Sequence, residues 1–150
     1  MDATYREPND ATLTRLRTLV KQFTPEDLDR PVGDGWTLKA VLLHLAWWDR
    51  FAAAVAQEWQ IKGYIASGHD DAYINQAALN DWLAASPEYA LSEVVRAAEV
   101  SDHAAAGIGD ALRADIVAGG EGWVCERGVH RTEHIEQIEQ ASGRLAPSKP

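Results

Sequence analysis

The sequence predicts an all-α four-helix bundle with one short extra helix between its second and third long helices. Four long segments place apolar residues at three- and four-residue steps, no segment alternates with period two long enough to demand a strand, and no internal repeat is visible. Four amphipathic helices bury their apolar faces most economically against one another. At 150 residues, with 46% hydrophobic residues, 11 Gly and 6 Pro, the chain has the size and composition of a single globular domain over 1–150, its core spanning about 8–143.

In the first helix, Asp10 to Phe23, the residues Leu13, Leu16, Leu19, Val20 and Phe23 form one apolar stripe. Two prolines and two glycines between Thr24 and Gly35 make that stretch a connecting loop, with a helical turn after Pro25. Thr37 is placed to cap the second helix, in which Val41, Leu45, Trp48, Ala52, Val55 and Trp59 keep a near-heptad step from Leu38 to Trp59 until Gly63 stops it. The loop at Gly68-His-Asp-Asp precedes the short helix, Ala72 to Ala84, which ends at Ser86-Pro87. Pro87 opens a third long helix whose stripe runs from Leu91 through Ile108 to Leu112, loosened by Gly107 and Gly109. A fourth spans Gly120 to Ser142, with Gly143 as its stop.

Charge excludes several classes of partner. The 14 Lys and Arg stand against 23 Asp and Glu, a formal net charge of −9, with no basic cluster on any helix, which argues against nucleic acid. The apolar run Ala40–Trp48 is interrupted by His44 and is far shorter than the roughly 20 residues a membrane span requires. A single cysteine, Cys125, excludes an intrachain disulfide, and with no apolar leader at the N-terminus a cytoplasmic location is expected.

The chemistry-bearing residues are histidines. His130 and His134 are four residues apart on the fourth helix, about 40° apart around its axis, and continue a stripe with Ile138 and Ala141. His44 lies on the flank of the second helix's core face, between Val41 and Trp48, and is the expected third ligand, whereas His69 falls in a loop and His103 on a solvated side. Three neutral imidazoles from two helices, with positions left open, are the ligand set of a catalytic metal site. Glu133, between the two histidines, is a candidate base or a residue that orients a ligand; a solvated surface carboxylate is an equal reading. The string also matches the H-x-x-E-H pattern of inverted zinc peptidases, but those take their third ligand far downstream and only 16 residues follow His134 (150 less 134). Of the six tryptophans, Trp48 and Trp59 belong to the core and Trp47, one residue off register, to a cleft or an oligomer contact. Cys125 reads as a small buried residue rather than a nucleophile.

The segment Trp36-Thr-Leu-Lys-Ala-Val-Leu-Leu-His44-Leu-Ala-Trp-Trp-Asp49, the run Asp71-Ala-Tyr-Ile-Asn75 and the closing His130-x-x-x-His134-x-x-x-Ile138 together resemble the DinB-like superfamily. That group includes the N-terminal domain of mycothiol-dependent maleylpyruvate isomerase and the bacillithiol transferases. The resemblance implies an up-down-down-up bundle with residues 63–87 as the crossover, and a divalent metal, zinc or nickel among others, on His44, His130 and His134. It also implies either a transferase that uses a low-molecular-weight thiol as cosubstrate or a metal-dependent hydrolase, acting on a small molecule. The alternative from another class is a non-catalytic bundle that binds a small molecule or a partner, its metal structural or absent. A homodimer is plausible for either.

Overall fold

The computed structural model describes residues 4–143. Among the described residues there are six α-helices: α1 (Arg6–Val20), α2 (Leu38–Lys62), α3 (Asp71–Ala84), α4 (Pro87–Ala106), α5 (Asp110–Ala118) and α6 (Gly128–Ser142). The four long ones make the bundle. α2 packs against α4 and α6, and α1 packs against the same two, so α1 and α2 take opposite corners.

The helix ends follow local chemistry. Thr37 caps α2 by accepting from Ala40 N–H, Asp70 caps α3 by accepting from Ala72 and Tyr73, and Ser86 caps α4 ahead of Pro87. Gly63 and Gly143, at φ 82° and 69°, end α2 and α6 with positive-φ residues that a Cβ would disfavour. α3 is the expected extra helix in the crossover. It buries only Trp82 and leans on α2, which leaves its other face half exposed.

α2 runs to Lys62, where Gly63 ends it as expected. Three boundaries differ from the expectation. α1 begins at Arg6 and ends at Val20, although Phe23 still reaches the core from the turn that follows. The third long helix stops at Ala106 and Leu112 belongs to a separate helix, α5; a Cβ on Gly107 would lie 2.9 Å from Gln60 Oε1, and Gly109 is extended. The last helix begins at Gly128, because Gly122–Val124 form a 3-10 turn that carries Trp123 instead. The loop before α2 contains the expected helical turn, a 3-10 turn at Pro25–Asp29, and then a hairpin that was not expected: β1 (Pro31–Gly33) and β2 (Trp36–Thr37) pair antiparallel in register Pro31↔Thr37 and Gly33↔Trp36.

The start of α6 is fixed by a close approach to α1. A Cβ added at Gly128 would sit 2.7 Å from Pro8 Cβ and 3.0 Å from its backbone, and Asn9 ties the same point down by accepting from Gly128 N–H (2.9 Å). Gly128→Ala is therefore expected to lower stability by about 1–3 kcal/mol, read as a shift in the urea midpoint; an unchanged midpoint would show that the two helices can part at no cost.

A second stabilising feature is ionic. Asp49, fully buried on α2, accepts from Arg127 Nε (2.8 Å) and from Arg131 Nε (2.9 Å), and Arg131 also reaches Asp102 on α4 (2.7 Å). Burial raises the Asp102 carboxyl above its ordinary range despite the arginine beside it. The network binds α2, α4 and α6 together at the middle of the bundle. Among the described residues, no helix is long and apolar enough to cross a membrane.

Candidate metal centre

The core stripe of α6 is Gly128, Arg131, Ile135 and Ile138. His130 and His134 lie one position to the side of it, half-buried, and face a cavity between α2, α6 and the crossover instead of the packed core. Buried His44 meets them from α2: its ring centroid lies 5.0 Å from His130 and 4.6 Å from His134, and those two are 4.8 Å apart. One ligand nitrogen from each can be chosen so that all three lie within 4.8 Å of one another. The expected trio is thus brought together.

Each ring is oriented by a neighbour. His44 Nδ1–H donates to Asn75 Oδ1 (3.1 Å), which also accepts from Trp48 Nε1 (3.0 Å), so the lone pair of His44 Nε2 points at the cluster. His134 Nδ1–H donates to Gln137 Oε1 (2.9 Å), with the same consequence. At His130 the order is reversed. Arg127 Nη2 can only donate, so Nδ1 accepts from it (3.0 Å) and Nε2–H is given to His44 Nε2 (3.0 Å).

Burial keeps the rings neutral. Desolvation, helped by His134 and Arg127, pushes His44 down to about 3; desolvation together with Arg127 and the other two histidines pushes His130 down to about 2; His134 is lowered by desolvation as well. The unfolded chain therefore takes up protons near the ordinary histidine value of about 6.5 while the folded one does not, so stability falls with pH below that point. The thermal midpoint of the metal-free protein is expected to drop between about pH 6.5 and 3, and to drop less in a His44→Phe variant. A midpoint flat across that window would contradict burial of neutral rings.

The cavity is about 500 Å³, within the range of small-molecule sites. Trp36, Trp48 and Trp123 form its aromatic walls, with Asp34 and Asp71 at its rim. Trp36 stands edge-on to His44 at 5.5 Å. Trp48 and Trp59 are core residues as expected, and so is Trp82. Trp47 is half-buried, outside the cavity lining, and stacks on Phe51 at 5.3 Å. Glu133 is exposed and outside the lining, so the residue that orients His134 is Gln137. His103 is exposed. Cys125 is buried, away from the cavity, with its thiol pushed up by burial.

His69 lines the cavity although it is no part of the trio. Its ring sits 5.4 Å from Trp48 and 5.2 Å from Trp123; Nδ1 meets Ser67 Oγ (3.0 Å) and Nε2 meets Asp71 (3.2 Å). This string of Ser, His and Asp is not a nucleophilic triad. The Ser67 hydroxyl donates to Glu121 Oε2 (2.5 Å), and although burial opposes it, bonds from Ser67 and Tyr64 hold that carboxyl below its ordinary value as an acceptor. Ser67 fastens the crossover loop to the turn before α6.

A family model described as the DinB superfamily matches residues 9–123. The chain belongs to the DinB superfamily. The match covers the fold from α1 to the turn before α6, and includes His44; His130 and His134 lie beyond it. No curated protein and no solved structure matches the chain.

The DinB site fits a divalent metal by its donor set. Two Nε2 atoms that share a metal at about 2.1 Å stand about 3.0 to 3.4 Å apart, and His44 and His130 are already 3.0 Å apart. His44 and His134 hold the proton on the far nitrogen, as ligating histidines do. Arg127 is the exception, because it supplies a donor and a positive charge where a ligand ring needs an acceptor. Arg127→Gln removes the charge and offers an amide oxygen to His130 Nδ1–H, so zinc affinity is expected to rise about tenfold by competition titration, at a cost in stability from the weakened Asp49 network. Weaker binding in that variant would mean that Arg127 supports the ligand instead of competing with the ion.

Proposed function

We propose that this DinB-superfamily protein is a metal-dependent enzyme that transfers a low-molecular-weight thiol to a small electrophile. The observation that carries the reading is the meeting of His44, His130 and His134, with ligand atoms within 4.8 Å, on the floor of an open cavity. A divalent ion held there supplies Lewis acidity, which favours the ionised form of a bound thiol or water and polarises an electrophile beside it. The imidazoles contribute three neutral ligands and leave positions for the reactants. Asn75 and Gln137 hold two of the rings in the ligating tautomer, and Trp36, Trp48 and Trp123 limit water around the reacting atoms. In the transfer the thiol S–H proton leaves to solvent at the cavity mouth, and the new S–C bond forms as the electrophile's leaving group departs with its electron pair.

Hydrolysis on the same site is the second reading, and the position of the carboxylates supports the transferase over it. Among the described residues the cavity's carboxylates are Asp34 and Asp71 at the rim; Glu133 lies outside it, so no carboxylate base stands beside the trio. Cys125 is likewise outside, so the thiol comes as a cosubstrate.

The test is elemental analysis of protein purified without a histidine tag, followed by assays of simple thiols with an aryl halide and of activated esters alone. About one zinc, nickel or similar ion per chain is expected, with thiol consumption lost on chelation and restored on reloading. Ester cleavage without thiol would favour the hydrolase. A protein without metal, without metal affinity and with a melting point indifferent to chelator would be a non-catalytic bundle.

A further inference from the structure

The cavity has opposite demands at its two ends. Three uncharged imidazoles leave the charge of a divalent ion uncompensated at the floor, which favours an anionic donor atom from the ligand. The rim carries the reverse sign. Asp34 sits at φ 52° between Gly33 and Gly35, exposed, and has no hydrogen-bond or ionic partner among the described residues; Asp71 is already engaged by His69. Between rim and floor stands the Trp36 indole, two residues from Asp34 and 5.5 Å from His44, an aromatic surface suited to a cation.

Among the described residues that line the cavity, no free cationic side chain answers a second anionic group. Arg127 is 2% exposed and directs its N–H groups to Asp49, to the Trp123 carbonyl and to His130, and His69 is engaged by Ser67 and Asp71. The chain as a whole, at −9, biases the approach of ligands in the same direction. A sphere of 500 Å³ is about 10 Å across, so a ligand of modest size spans both ends.

We propose that the cavity takes a small molecule with a metal-binding group at one end and an ammonium group at the other, the ammonium seated against Asp34 and the Trp36 indole. This rests on the metal reading above and adds to it the class of ligand. Asp34 then acts as the residue that sets specificity, while the trio holds the reacting end.

The experiment uses the cobalt(II)-loaded protein and follows the sulfur-to-cobalt absorption band during titration with three thiols. Thiocholine carries a quaternary ammonium that cannot itself ligate the metal, 2-mercaptoethanol is neutral and 3-mercaptopropionate is anionic. Thiocholine is expected to bind about fivefold to tenfold more tightly than 2-mercaptoethanol, and 3-mercaptopropionate most weakly. Asp34→Asn, a change in an exposed turn, should erase the advantage of thiocholine without altering cobalt uptake. Equal affinities, a preference for 3-mercaptopropionate, or a thiocholine advantage that survives Asp34→Asn would overturn the assignment. Failure to take up cobalt, seen before any thiol is added, would overturn the metal reading itself and the inference with it.

Discussion

Asp49→Ala is expected to cost about 3–5 kcal/mol of folding stability, the largest loss of any single substitution considered for this chain. Asp49 has no exposed surface and accepts from two arginines on α6, themselves 2% and 0% exposed. Removing it leaves both guanidiniums buried. Arg131 keeps Asp102 and the Asn9 and Ala98 carbonyls, whereas Arg127 keeps the Trp123 carbonyl and ring and His130, with no carboxylate among the described residues. For a domain whose total stability is about 5–15 kcal/mol, the loss removes from about a fifth to nearly all of it. The decisive measurement is a double-mutant cycle in urea with Arg131→Met. Once Asp49 is gone, Arg131 has lost one of its two carboxylate partners, so removing it costs less than in the parent and the double variant should be more stable than the sum of the single losses predicts. Strict additivity, or a loss below about 1 kcal/mol for Asp49→Ala, would show that the network is not a unit.

That network is also where sequence reasoning ran out. Periodicity located all four bundle helices, because each hides an apolar face, while the crossover helix showed through the Gly68 loop before it and Ser86-Pro87 after it. It treated α6 as an apolar stripe beginning with His130 and His134, whereas the stripe that is buried begins with Gly128 and Arg131. A guanidinium in a core position carries no apolar signal, and its partner Asp49 is 82 residues away in sequence. The break at Gly107 and the late start of α6 at Gly128 depend on close approaches to Gln60 and Pro8, which helical spacing does not contain. Asn75 was within reach, since it stands in the Asp71–Asn75 run that pointed to the family, yet only the fold sets it on His44 Nδ1. By sequence His69 is a loop residue, and so it is, but the loop forms a wall of the cavity.

The histidine trio was legible for a physical reason: imidazoles beside apolar helix faces are costly without a partner, and two helices offered them to the same space. The sharpest consequence is that His134→Ala should weaken zinc binding at least about a hundredfold in a competition titration with a chelating indicator. Two imidazoles from different helices then remain, and one of them, His130, faces Arg127 through its other nitrogen. Binding energy to the native state adds to stability, about 2.7 kcal/mol when the free ion is a hundred times its dissociation constant, so zinc should raise the melting point of the parent protein and leave the variant's nearly unchanged. His103→Ala and His69→Ala serve as controls. His103 is exposed on α4, and His69 is engaged by Ser67 and Asp71, so neither change should move the zinc affinity by more than about twofold. A His134→Ala protein that binds zinc like the parent would move the centre elsewhere. Equal losses in His69→Ala and His134→Ala would instead place the ion between the trio and the crossover loop, with His69 as a fourth ligand.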